Sequence, residues 1–423
     1  MLRLHLSDKI SVLKPKELET EIEKYSDLLK NVQKGEDNYL ESLGWLNVNE
    51  WAGEEVLKIV ENLAAEIRSK ADAFVIIGVG GSNNAARAVI KAITPEGRPE
   101  ILYAGNTLSA HAINSLLKKL DDKKSIYINC IAKNFETLEP GASFRILRRY
   151  LTERYGKKEA AKRILCTGTV GSNLEDICRQ ENYTFLPFPD NIGGRYTAMS
   201  YVHLVPMAVA GINVQELVSG AKDMEKNLRT SSSSDNIALK YAVLRNLFYS
   251  KGYFVELLSS FEPQLKYFHK WWEQMFAESE GKANRGLLPI SCEFTEELHS
   301  LGQFIQEGTP ILFETFLDIS EQQDSLIIEP DQVADGFDYL NGKDLWDVNK
   351  ASFHATVTAH SKKLPCIIIE IDKLDAYHFG QMFYFFAFSC YLSSRILGIN
   401  PFNQPGVEAY KTKMFEILGK PQD

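Results

Sequence analysis

Cysteine is sparse in this chain and never paired. Cys130, Cys166, Cys178, Cys292, Cys366 and Cys390 are scattered without a CxxC spacing. That excludes a disulfide scaffold and reads as reduced core thiols of a cytoplasmic protein. Histidines at ligand spacing are also missing: His354 and His360 stand six apart and no HExxH occurs, so no metal site is expected. Positive charge is short, with 47 Lys and Arg against 56 Asp and Glu and a net charge of −9. Nucleic-acid and anionic-membrane partners are therefore disfavoured, and any anionic ligand must be held by a local site. Long apolar runs are scarce too. The opening MLRLHLSDKISVL is broken by charges, so no export signal is expected. Residues 376–394 lack Asp, Glu, Lys and Arg, but His378, Gln381 and several serines make them a buried core helix rather than a membrane span.

What is present is ordinary globular material: 423 residues, enough for at least two domains by size. Residues 1–45 carry Leu18, Ile22, Tyr25, Leu28 and Leu29 at helical spacing and are expected to form a helical arm. From residue 71 the pattern changes. Phe74, Val75, Ile76 and Ile77 form a continuous apolar run, then Gly78, then a helical stretch at 85–93, which is how a buried parallel strand feeding a helix reads. Residues 125–131, 163–167 and 183–187 repeat the strand signal, and 253–258, 311–316, 325–328 and 365–371 form a second set. The polar run Thr230 to Asp235 reads as a linker. The expected fold is α/β: a helical arm at 1–45, doubly wound parallel-sheet domains at 46–229 and 230–396, and a C-terminal arm at 397–423.

Two segments look chemical. Gly78-Val-Gly-Gly-Ser82 follows a strand and opens a helix, so its backbone N–H groups can meet an anion or a sugar hydroxyl. A dinucleotide fingerprint would need glycine where Asn83 stands, so no nicotinamide cofactor is expected. Residues 278–308, ESEGKANRGLLPISCEFTEELHSLGQFIQEG, are dense in polar groups and show no clear strand or helix pattern. Within and just before that run Glu273, Glu278 and Glu280 compete as the carboxylate of interest.

GVGGS at 78–82, GGRYT at 193–197, AESEGK at 277–282, EELHSLGQ at 296–303 and QPGVEAYK at 404–411 together resemble the bacterial glucose-6-phosphate isomerase family, over roughly residue 75 to the C-terminus. The resemblance implies two SIS-type domains, a homodimer with the active site at its interface, no cofactor, and reversible aldose–ketose isomerisation of a sugar phosphate in glycolysis and gluconeogenesis. It assigns Glu278 as the base that moves a proton between C1 and C2 through a cis-enediolate, and Arg195 as the cation that stabilises the enediolate. His299, reaching across the dimer interface, and Lys411 are ring-opening groups by the same resemblance. Gly81, Ser82, Lys133, Asn134, Thr137 and Gln404 become substrate-binding residues.

The loop expected to hold the phosphate departs from the family pattern. Ala132 replaces a serine, Asn134 the next hydroxyl residue and Glu136 a threonine. A desolvated carboxylate about 4 Å from a phosphate costs on the order of 4 kcal/mol per charge pair at an effective dielectric near 20. Two alternatives stay open: an isomerase of the same family for a different sugar, and a non-catalytic sugar-phosphate-binding regulator.

Overall fold

The computed structural model describes residues 1–7, 12–95, 97 and 99–420; positions 8–11 of the N-terminal arm and 421–423 of the C-terminal arm lie outside the described residues. Ten strands are present among the described residues: β1 (Arg3–Leu6), β2 (Ala73–Ile77), β3 (Glu100–Ala104), β4 (Ile126–Ala132), β5 (Ile164–Gly168), β6 (Thr184–Pro187), β7 (Val255–Ser260), β8 (Leu288–Glu293), β9 (Leu312–Ile319) and β10 (Cys366–Ile371). They build two five-stranded sheets, ordered β3-β2-β4-β5-β6 and β1-β10-β9-β7-β8. All neighbours are parallel except β1, which runs antiparallel to β10 with Arg3 opposite Glu370.

The inner strands of the first sheet are almost wholly apolar because both of their faces are covered, while β7 and β9 of the second carry the buried Glu256 and Glu314. Along β2, Phe74 and Ile76 enter a core shared by the two halves of the molecule, while Val75 and Ile77 enter a second core on the other face. Ile367, Ile369 and Ile371 of β10 reach that same shared core, whereas Leu257 and Cys366 pack into a third. The helix Ala376–Leu397 runs through the shared core almost wholly buried, as expected from its mixture of aromatics and hydrogen-bonding groups. It crosses the helix Val214–Thr230 at very close range: a Cβ on Gly220 would lie 1.8 Å from the Tyr377 carbonyl oxygen, and one on Gly380 1.9 Å from that of Leu217. Only glycine at both positions permits the crossing. No helix among the described residues is long and apolar enough to cross a membrane.

Several local expectations need correction. The N-terminal arm begins with a strand, β1, before its helices Glu17–Lys24 and Ser26–Lys34. Residues 325–328 are not a strand; 325–327 are exposed, and the segment makes a single isolated bridge between Ile327 and Asp344. The run 278–308 is more regular than its composition suggests, since it contains the end of the helix Lys266–Glu280, edge strand β8 and the helix Leu298–Glu307. Pro289 sits inside β8, which is compatible with a ladder on one side only.

Candidate active site

In the first sheet the chain leaves β2 for β3 on one side and then returns to place β4 on the other. This reversal opens a crevice beyond the carboxyl ends of β2 and β4, where open α/β sheets bind ligands. The turn after β2 and the loop after β4 form two walls of a cleft of about 740 Å³. The remaining walls come from Gly194 and Arg195, from Gln274 and Glu278 on the helix Lys266–Glu280, and from the C-terminal segment with Gln404, Glu408 and Lys411. Segments more than 300 residues apart in sequence thus share one cavity.

Glu278 lies in the last turn of its helix with about a third of its side chain exposed. Its Oε2 accepts from Arg195 Nη1 at 3.1 Å and from Gln404 Nε2 at 2.6 Å, and its Oε1 accepts from Gln274 Nε2 at 3.0 Å. Three donors from three parts of the chain therefore fix one carboxylate. Arg195 is almost fully buried and is fixed in turn: Nε donates to Ser279 Oγ at 2.8 Å, and Nη2 donates to the Glu278 and Pro401 carbonyl oxygens. A planar guanidinium with five donors suits this multiple anchoring, and a lysine could not reproduce it.

The competing carboxylates are elsewhere. Glu280 is buried in an ion pair with Arg245 at 2.5 Å, and Arg245 also pairs with Glu256 at 2.6 Å. Glu273 is engaged by Lys270 and by Ser291 Oγ. Neither lines the cleft.

Gly81 and Ser82 lie in the 3₁₀ turn Gly80–Ser82. A Cβ on Gly81 would come within 2.5 Å of the Gly194 carbonyl carbon, so glycine lets the turn abut the segment carrying Arg195. In the loop after β4, Lys133, Asn134, Glu136 and Thr137 all face the cleft. The Lys133 ammonium donates to the Ile192 carbonyl oxygen at 3.1 Å, and burial pushes its pKa down. Thr137 caps the 18-residue helix Leu138–Tyr155 without a side-chain bond to the first turn, leaving that positive helix end beside the cleft. Glu136 is exposed, so its repulsion of an anion at about 4 Å falls towards about 1 kcal/mol, the value for water.

Lys411 lines the cleft from the helix Glu408–Leu418 and donates to Glu408 Oε1 at 3.2 Å. The 3₁₀ turn Pro405–Val407, built on the Pro405-Gly406 pair, sets its approach. His299 is not brought to this cleft. It is exposed in the first turn of the helix Leu298–Glu307, which follows edge strand β8 of the other sheet.

Gln274 and Ser279 escaped the sequence reading. Gln274 accepts from Asn84 Nδ2 at 2.7 Å while donating to Glu278, and so links the helix after the glycine turn to the carboxylate. Its only signal in sequence is a position one helical turn before Glu278.

The sequence profile of the family Phosphoglucose isomerase matches residues 61–423. The chain belongs to that family. It is 41% identical over 414 residues to glucose-6-phosphate isomerase of Staphylococcus haemolyticus, covering 95% of this chain and 93% of the relative. Among solved structures, a hypothetical protein from Thermus thermophilus aligns with a TM-score of 0.90 at 22% identity, covering 99% of this chain and 100% of that one. A glucose-6-phosphate isomerase from Chlamydia trachomatis aligns with a TM-score of 0.84 at 18% identity, covering 99% and 88%. At such identities these two structures speak for the phosphoglucose isomerase fold, and the family assignment rests on the profile and the full-length relative.

Proposed function

We propose that this phosphoglucose isomerase interconverts glucose 6-phosphate and fructose 6-phosphate by proton transfer at Glu278. The observation that carries the proposal is the cradle of Arg195, Gln274 and Gln404 around the Glu278 carboxylate, in a cleft large enough for a hexose phosphate. A carboxylate presented on a helix end can reach two adjacent carbons of an open-chain sugar, removing a proton from one and returning it to the other. As the proton leaves, negative charge develops on the neighbouring oxygens, and the prepositioned Arg195 guanidinium stabilises the cis-enediolate. The proton goes back to the adjacent carbon and no electrons leave the sugar, so the step needs no redox partner. Lys133, Asn134, Thr137 and the Leu138–Tyr155 helix end hold the phosphate, with Gly81 and Ser82 on the sugar. Lys411 assists ring opening.

His299 completes the set from a second copy of the chain, so the working enzyme is a homodimer in the cytoplasm. Its exposure, with Leu301 and Phe304 exposed on the same helix, supports this reading. Incubating purified protein with fructose 6-phosphate and reading glucose 6-phosphate through a coupling dehydrogenase tests the proposal; no product at any substrate concentration refutes it. Glu136 and Asn134 favour one second reading, a same-family isomerase for an unphosphorylated or differently charged sugar. A substrate panel in which such a sugar outperforms the 6-phosphate would establish it.

A further inference from the structure

His203 makes no contact with the cleft, yet both of its ring nitrogens end on the backbone that builds it. It belongs to the helix Tyr201–Val209, which follows the segment carrying Arg195, and is 1% exposed. Nδ1 accepts from the Ala86 backbone N–H at 3.2 Å, so the ring proton is on Nε2, which donates to the Gly81 carbonyl oxygen at 2.9 Å. Burial pushes the imidazole pKa down to about 4, which keeps the ring in that neutral form near pH 7.

Both contacts are consequential for the backbone they meet. Ala86 is in the first turn of the helix Asn84–Ile93, where N–H groups lack intrahelical partners, and Asn83 supplies no side-chain cap. The imidazole supplies the missing acceptor from across the fold. Gly81 is the residue wedged against the Gly194–Arg195 peptide. Thr197 Oγ1 donates to the Gly194 carbonyl oxygen at 2.7 Å and ties the opposite side of the same contact. One ring therefore joins the glycine turn, the helix behind it and the segment bearing Arg195.

We propose that His203 is a positioning residue for the isomerisation: it holds the Gly80–Ser82 turn in the shape that meets the substrate, acting through the Gly81 carbonyl and the Ala86 N–H. The inference rests on the reading of the cleft as the active site. A turn that contacts the substrate in the ground and transition states alike shows its loss mainly in KM, whereas simple destabilisation lowers the folded fraction and hence apparent kcat with KM unmoved.

The test compares His203→Leu with His203→Gln, whose amide oxygen and nitrogen are spaced like the two ring nitrogens. The leucine variant is expected to raise KM for fructose 6-phosphate by about 10- to 100-fold, with kcat per folded molecule within about threefold, the pattern of binding lost equally from ground and transition states. The glutamine variant is expected to restore KM to within about threefold of the wild type. A folded His203→Leu with wild-type KM, or a His203→Gln as impaired as the leucine variant, overturns the proposal. If His203→Leu does not fold, spectra of the wild-type protein with ¹⁵N-labelled histidine decide. The Nε2–H tautomer, with a proton signal that shifts on saturation with the equilibrated sugar phosphates, supports it; the Nδ1–H tautomer or an unmoved signal refutes it. Glu278→Gln run alongside separates the two readings, since full activity there sinks the active-site assignment whatever His203 does.

Discussion

Glu278 and Glu280 are two residues apart, chemically identical and close competitors by composition alone, so replacing each by glutamine gives the sharpest contrast this fold offers. At 278 the carboxylate faces the cleft and is partly exposed. Glutamine there removes the proton acceptor and turns an amide N–H₂ towards donors from Arg195, Gln274 or Gln404. Loss of a general base corresponds to a fall in kcat of about 10²- to 10⁴-fold with little change in KM, and some stability goes with it because Glu278 is the carboxylate paired with the buried Arg195. At 280 the carboxylate is 1% exposed and bonded to an Arg245 that is fully buried. Breaking one partner of a buried ion pair costs about 3 kcal/mol, the low end of the usual range because Glu256 still compensates Arg245. With an unfolding entropy of roughly 2 cal/mol/K per residue, a chain of 423 residues loses about 3 °C in Tm for that penalty. The assay is the coupled isomerase reaction on both variants, normalised to folded protein, beside thermal melts. The reasoning is refuted if Glu280→Gln loses kcat as severely as Glu278→Gln while keeping its Tm, or if Glu278→Gln remains active.

Lys282 gives a pH prediction. Burial, with help from Arg195, lowers its pKa to about 8, below the usual lysine value. Below pH 8 the ammonium is charged in the folded and unfolded states alike, and folding bears the full cost of burying it. From pH 8 up to the unfolded value near 10.4, the unfolded chain binds more protons, so the contribution of this group to stability rises with pH. Denaturant midpoints at pH 7.5 and 9 should show that gain in the wild type and a smaller one in Lys282→Met; equal slopes would contradict it. The proposed dimeric site predicts complementation. Mixing and reassembling Glu278→Gln with His299→Ala should recover about a quarter of wild-type activity, because half of the randomly paired dimers hold one intact site of two. Two inactive variants that stay inactive after verified subunit exchange would show that His299 does not serve a partner's cleft.

Legibility followed burial. Strands β2, β4, β5, β7, β9 and β10 announce themselves as largely apolar segments because neighbours cover both faces. Edge strands β1, β3 and β8 did not, since Arg3, Glu100 and Pro289 fit one-sided pairing and dilute the pattern, whereas edge strand β6 was legible at residues 183–187. The opposite error occurred at residues 325–328, where local apolarity mimicked a strand although no neighbour pairs with it beyond a single bridge. In the site, the residues legible from motifs were those whose chemistry is explicit: Glu278, Arg195, Lys411 and the glycine turn. Gln274, Ser279 and His203 were not, because an amide, a hydroxyl and a buried imidazole acquire their roles only from what stands opposite them.

The sequence by itself determined the family's chemistry and the inner strands of both sheets, because motif identity and apolar periodicity are properties of neighbouring residues. Composition and spacing left Glu278, Glu280 and Glu273 as competitors, the choice of Glu278 came only from the AESEGK resemblance, and nothing in the sequence told that His203 braces the Gly81 turn. Those outcomes depend on which side chain the end of the Lys266–Glu280 helix turns to the cleft, and on contacts spanning 35 residues from Arg245 to Glu280, 122 from Gly81 to His203 and 126 from Glu278 to Gln404. Only the packed tertiary structure brings such groups within hydrogen-bond distance, and that proximity decides which carboxylate is free to act.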